Sequence, residues 1–152
     1  EAARLAMLAS SRKEGLDLES VIRSFIKPVF DIRDKDPSNS NFLKLMNYRF
    51  FTIADEDQRK AYERYMKVTR DTFVDAFEEI LTDSTREEIY WHFHLMITML
   101  TSLSSNEKRL ELISEGTIKS TSPEELCDKI INYMTHSIEQ GTRQEQYFEA
   151  NH

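Results

Sequence analysis

The chain has 152 residues, with 20 Lys and Arg against 27 Asp and Glu, one Cys, three Gly and three Pro. That length makes one domain with a real core, and 39% apolar against 31% charged residues excludes a membrane protein and a disordered one. A net charge of −7, split as +2 over residues 1–54 and −9 over 55–152, leaves no basic face for a nucleic acid.

A lone cysteine forms no internal disulfide, which points to a reducing cytoplasm. Six Gly and Pro residues are too few for a many-turned β protein, so an all-α fold of five or six helices is predicted. The opening Glu1-Ala2-Ala3-Arg4-Leu5-Ala6 carries no signal-peptide pattern and reads as the middle of a helix, which suggests a piece of a longer protein.

The next helix starts at Leu16-Asp17, with Asp17 as N-cap and Leu16 able to staple onto Val21. Val21, Ile22, Phe25, Ile26, Val29 and Phe30 recur at helical spacing, and Pro28 should bend or end this helix a turn later. Residues 34–39 then read as a loop, and Phe42, Leu43, Leu45, Met46, Arg49 and Phe50 as a further helix. The acid-rich run 55–58 suits a helix N-terminus. It opens a long helix whose stripe is Tyr62, Met66, Thr69, Phe73, Ala76, Phe77 and Ile80.

Ser84-Thr85-Arg86-Glu87 reads as a capping box before a 17-residue uncharged stretch, Ile89 to Ser105. That stretch is too short and too polar for a membrane span. A helix uncharged all round must be buried on more than one side, against the rest of its own chain or against a second copy. Ile89, Phe93, Met96, Leu100 and Leu103 share the face suited to the domain's own core. Trp91, Leu95, Thr98 and Ser102 lie roughly opposite, with large residues followed by small ones, as close helix packing between subunits requires. Ser122-Pro123-Glu124-Glu125 is another capping box, with Pro at the first helical position. Its helix carries Leu126, Ile130, Tyr133 and Met134. These residues are expected to complete a dimer face with the Trp91 strip, the alternative being that the last helix covers this surface within one chain. Residues beyond Gly141 read as a polar tail.

Catalytic motifs are nearly absent: there is no glycine-rich phosphate loop, no nucleophile elbow and no His-Glu-x-x-His. His92 and His94 are two apart and point to different sides of a helix, so they cannot share a metal. No cofactor or metal is expected, and no enzyme activity. Cys127 lies among Glu125 and Asp128, which should raise its pKa and make it an inert packing residue. Phe25, Val29, Phe42, Met46, Phe50, Tyr65, Met66, Phe73, Phe93 and Ile97 make an aromatic- and Met-rich interior. It is either plain core or a pocket for an apolar ligand with Thr69, His94 and Thr98 as polar anchors. Arg23, Lys27, Arg49 or Arg70 would be available for an anionic head.

Phe25-Ile26-Lys27-Pro28, then Asn41-Phe42-Leu43-Lys44-Leu45, then Trp91-His92-Phe93-His94-Leu95-Met96 resemble the C-terminal regulatory domain of TetR-type transcriptional repressors, in particular the branch that includes regulators of fatty-acid metabolism. The resemblance covers about residues 1–138, on motifs that are individually unspecific but agree in order and spacing. It implies a homodimer built by the last two helices, and a hydrophobic small-molecule effector held within the other helices. It also implies operator DNA bound only through an N-terminal helix-turn-helix that these residues lack. Residues 1–14 would then be the end of a connecting helix, 15–138 the effector-binding and dimerisation domain, and 139–152 the tail. Thr98 stands where relatives commonly carry Gly. A purely structural dimerisation module and a metal-carrying helical-bundle enzyme are the rival readings.

Overall fold

The computed structural model describes residues 1–35, 56–105, 107–119 and 121–149. Its described elements are all α-helical: α1 (Ala2–Glu14), α2 (Leu18–Lys35), α3 (Glu56–Ile80), α4 (Arg86–Ser105), α5 (Glu107–Ile113) and α6 (Pro123–Glu149). The helix expected around Phe42 to Phe50 lies outside the described residues.

Local chemistry sets most helix ends. α1 stops at Gly15, whose φ of 114° suits a residue without a Cβ and whose N–H closes onto the Ser11 carbonyl at 3.0 Å. Asp17 caps α2 as expected: its Oδ1 accepts the Ser20 N–H at 2.8 Å, and Ser20 Oγ accepts the Asp17 N–H at 3.0 Å. Ser122 Oγ accepts the Glu125 N–H at 3.1 Å at the start of α6, with Pro123 at its first helical position. The box before α4 falls one residue later than expected. Thr85 Oγ1 accepts the Glu88 N–H at 3.3 Å and Glu88 returns a carboxylate oxygen to the Thr85 N–H at 2.5 Å. Ser84, the expected cap, is drawn back into the preceding turn by its N–H bond to the Leu81 carbonyl.

Two ends differ from expectation. α2 runs through Pro28 to Lys35. A proline removes one ladder bond, but burial of the α2 stripe against three other helices holds the element together. α6 continues past Gly141 to Glu149, so residues 139–149 are helix rather than a separate tail. A single Gly costs only about 1 kcal/mol in a helix, and no proline follows to stop this one.

The central element is α2, which packs against α1, α3 and α6. Val21, Ile22, Phe25, Ile26 and Phe30 are buried, while Glu19, Arg23, Lys27 and Asp31 form its polar edge at four-residue steps. The uncharged stretch of α4 is not encircled within the chain. Ile89, Phe93, Met96 and Leu100 enter the core as expected, but the opposite strip faces out. Leu8 of α1 and Leu126, Ile130, Ile131, Met134 and Ile138 of α6 close the core from the other sides. Among the described residues no helix is long and apolar enough to cross a membrane.

Candidate functional site

Three rings from three helices meet in the core. Phe25 of α2 lies with its ring centroid 5.1 Å from that of Phe73 on α3 and 5.2 Å from that of Phe93 on α4. The interplanar angles are 81° and 70°, so positive ring edges point at negative faces. All three are buried and Phe25 touches both others, so they fill space. Thr69 and Phe73 share the inward face of α3 at a four-residue step, Met66 is half-buried one step earlier, and Val29 and Ile97 are half-buried at the core's margin. Phe42, Met46 and Phe50 lie outside the described residues, as does the side chain of Tyr65.

α1 is fastened across this cluster. The Arg4 guanidinium sits 3.9 Å above the Phe25 ring centroid, and its Nε donates to the Phe25 carbonyl at 2.8 Å. The buried Thr69 hydroxyl donates to the Glu1 carboxylate at 2.9 Å. Ser11 and Ser24 hydroxyls meet at 3.3 Å between α1 and α2, and Arg12 pairs with Glu79 of α3 at 3.1 Å. Arg4 and Glu1 were not singled out from the sequence. The available signal was Arg4 standing alone in an apolar run, four residues before the buried Leu8 and so on the same face.

His94 and Thr98 do not anchor this interior, contrary to expectation. Each residue turns a helix by about 100°, which carries His94 off the face of Phe93. His94 is exposed, with its ring 6.1 Å from that of Trp91, and the Thr98 hydroxyl donates to the His94 carbonyl at 2.9 Å. His92 is half-buried, and desolvation pushes its pKa down against the pull of Glu88. The described residues contain no group of three or more His, Cys, Asp or Glu side chains able to hold a metal ion.

The outward strip of α4 is as drawn from its spacing: Trp91 is 59% and Leu95 51% exposed, Thr98 is exposed and Ser102 half-exposed. From α6 only Tyr133, 63% exposed, joins the outer surface among the expected dimer residues. Leu126, Ile130 and Met134 are buried in the chain's own core, because their four-residue repeat is the stripe that docks α6 on α2. They are therefore not free to form a dimer face. Among the α6 side chains described, which run through Gly141, the other exposed ones on this side are polar: Lys129, Asn132, His136, Ser137 and Gln140.

A groove of about 390 Å³ runs between α2 and the start of α6, lined by Arg23, Lys27, Asp31, Ser122 and Asp128 among others. Its cations are paired within the chain. Arg23 reaches Glu19 at 2.8 Å and Asp128 at 3.1 Å, and Lys27 reaches Asp31 at 2.6 Å. The Glu19 carboxylate, and Asp128 after it, push the Arg23 guanidinium up, and Asp31 does the same to the Lys27 ammonium. Arg70 likewise pairs with Asp71 at 2.7 Å, and Arg49 lies outside the described residues. Cys127, on the same groove, is buried, and its thiol is pushed up to about 11. Burial is the main cause, with Asp128 second.

The family described as tetracyclin repressor-like, C-terminal domain, matches residues 23–136, and the chain belongs to it. Comparison with curated proteins and with solved structures returns no match. The matched span contains all three rings of the cluster and the outward strip of α4. The clamp residues Glu1 and Arg4 precede it.

Proposed function

We propose that this chain is the effector-binding and dimerisation domain of a bacterial TetR-type transcriptional regulator in the cytoplasm. Its effector is a hydrophobic small molecule, with fatty acids and acyl-CoAs the first classes to try. Operator DNA is contacted by a helix-turn-helix that precedes α1 in the whole regulator. Two copies pair through the Trp91, Leu95, Thr98 and Ser102 strip with Tyr133. The reading is carried by one observation: α1 is held to the aromatic cluster by the Arg4 guanidinium on the Phe25 ring and carbonyl. A ligand that repacks Phe25, Phe73 and Phe93 changes the seat of α1, which couples the two sites through one rigid element.

The test is thermal unfolding against fatty acids, acyl-CoAs and aromatic drugs, followed by hydrogen exchange on the best ligand. A ligand at 100 times its Kd adds about 2.7 kcal/mol, or roughly 5–10 °C for a domain of this size. Amide protection in α1 should change with it. Saturating binding with no change in α1 would overturn the coupling. No stabilisation by any class would favour the second reading, a structural dimerisation module, which the close contact of Phe25 with both other rings supports.

A further inference from the structure

Several hydroxyls on these helices are satisfied within their own turn. Ser11 donates to the Met7 carbonyl at 3.2 Å, Ser24 to that of Ser20 at 2.7 Å, and Thr72 to that of Val68 at 2.7 Å. Thr69, 2% exposed on the inward face of α3, does otherwise. Its hydroxyl passes over its own preceding turn and donates to the Glu1 carboxylate at 2.9 Å, 68 positions away. A hydroxyl that gives its proton to a carboxylate in a dry setting makes a charge-assisted bond, stronger than one to a neutral carbonyl. The surroundings suit an acid with an apolar body. Met66 is half-buried one step before Thr69 on this face of α3, and Phe73 is buried one step after it. The Arg4 guanidinium, over the Phe25 ring, brings a positive charge from the first turn of α1 to this aromatic cluster. Arg70, the nearer cation in sequence, is taken by Asp71.

We propose that the Thr69 hydroxyl is the head-group site for an apolar carboxylic acid, and that Glu1 fills it in the ligand-free chain as an internal stand-in. The inference rests on the effector reading above; it adds the chemistry of the head and the contact that the head must break. A hydroxyl has one proton to give, so Glu1 and an effector carboxylate exclude each other. The exchange is asymmetric. Glu1 is exposed and its carboxylate returns to water on leaving, whereas the buried Thr69 hydroxyl needs a replacement acceptor. An acid supplies a charged one, an ester only a neutral carbonyl, and a hydrocarbon none. Binding is therefore weakened by the fraction of time that Glu1 holds the site, and removing Glu1 lifts that penalty. Occupation by an acid also undoes one of the contacts that fasten the start of α1, so head recognition and the loosening of α1 are the same event.

Calorimetric titration with decanoate and with its methyl ester tests this on the wild-type chain, Glu1→Ala, Thr69→Val and Thr69→Ser. Decanoate should bind the wild type, and Glu1→Ala should bind it roughly threefold more tightly or better. Thr69→Val keeps the shape of the side chain without its hydroxyl and should weaken decanoate at least about tenfold, while Thr69→Ser restores most of the affinity. The ester should bind more weakly than the acid in the wild type and should lose little in Thr69→Val. Decanoate affinity that is the same in wild type and Glu1→Ala overturns the competition, and this arm decides alone if Thr69→Val loses its helical circular dichroism. Acid and ester of equal affinity overturn the carboxylate site. Either result leaves the effector reading standing, because the chain has still bound a ligand. No binding of decanoate to wild type or Glu1→Ala overturns the head site as well, and the effector reading falls with it only if no class in the thermal-unfolding panel stabilises the chain.

Discussion

Replacing Phe25 by Leu tests the cluster and its clamp together. The substitution keeps an apolar side chain at a buried position but removes two edge-to-face ring pairs and the ring beneath Arg4. Ring pairs contribute about 0.5–1.5 kcal/mol each beyond area burial, and a cation over a ring roughly 0.5–2 kcal/mol according to its desolvation. Leucine recovers part of the packing, so the expected loss is about 2–3 kcal/mol. That is a large fraction of the roughly 5–15 kcal/mol that holds a domain folded. At about 2–4 °C per kcal/mol, Tm should fall by roughly 5–10 °C. The assay is urea and thermal unfolding by circular dichroism at one fixed protein concentration, because dimerisation would otherwise shift both midpoints. Arg4→Met retains the apolar stem and removes the charge. Combined with Phe25→Leu in a double-mutant cycle, it should return a coupling of about 0.5–2 kcal/mol. Strict additivity would refute the stacking of Arg4 on Phe25, and a loss below about 0.5 kcal/mol for Phe25→Leu would refute the ring cluster as a core element.

Asp17→Ala should cost about 1 kcal/mol in urea unfolding through loss of the α2 cap, while Asp17→Asn retains most of it. Burial lowers the His92 pKa in the folded chain, so the unfolded chain binds the extra proton first as pH falls. The stability that neutral His92 contributes is therefore complete above its unfolded pKa of about 6.5 and is lost as pH drops through the lower folded value. His92→Gln should flatten the pH dependence of Tm between about pH 7 and 5, and an unchanged slope would remove His92 as its source. For Cys127, a shift from 9.0 to about 11 makes the thiolate about 100 times scarcer at neutral pH. A disulfide reagent should label the native chain at least that much more slowly than the chain in urea, and equal rates would mean that the thiol is not buried.

Local chemistry was readable directly. Asp17, Ser122 and the acids at 56 and 57 mark helix starts because capping and charge at a terminus involve residues within one turn of each other. Among the helix starts one slipped, Thr85 with Glu88 in place of Ser84 with Glu87, because both pairs have the same spacing and only the preceding turn chooses between them. Helical spacing also separated the two faces of α4 correctly, with Phe93 and Met96 inward and Trp91 and Leu95 outward. The pocket reading of the interior named His94 and Thr98 as polar anchors, although helical spacing itself put Thr98 on the Trp91 strip and both are exposed.

Periodicity names an apolar face without naming what covers it. Leu126, Ile130 and Met134 repeat as a dimer stripe would, yet they dock on α2 of their own chain. The uncharged stretch of α4 had to be buried on more than one side, by its own chain or by a second copy, and within the chain it is α2, with its charged edge, that three helices surround. The clamp of Arg4 on Phe25 joins positions 21 apart on different helices, and Glu1 meets Thr69 across 68. Helix identity, caps and inward faces are encoded by neighbours within a turn or two and so follow from the order of residues. The partner of each face, and therefore the contents of the site, depends on how whole helices share a finite apolar surface, and only the folded chain decides it.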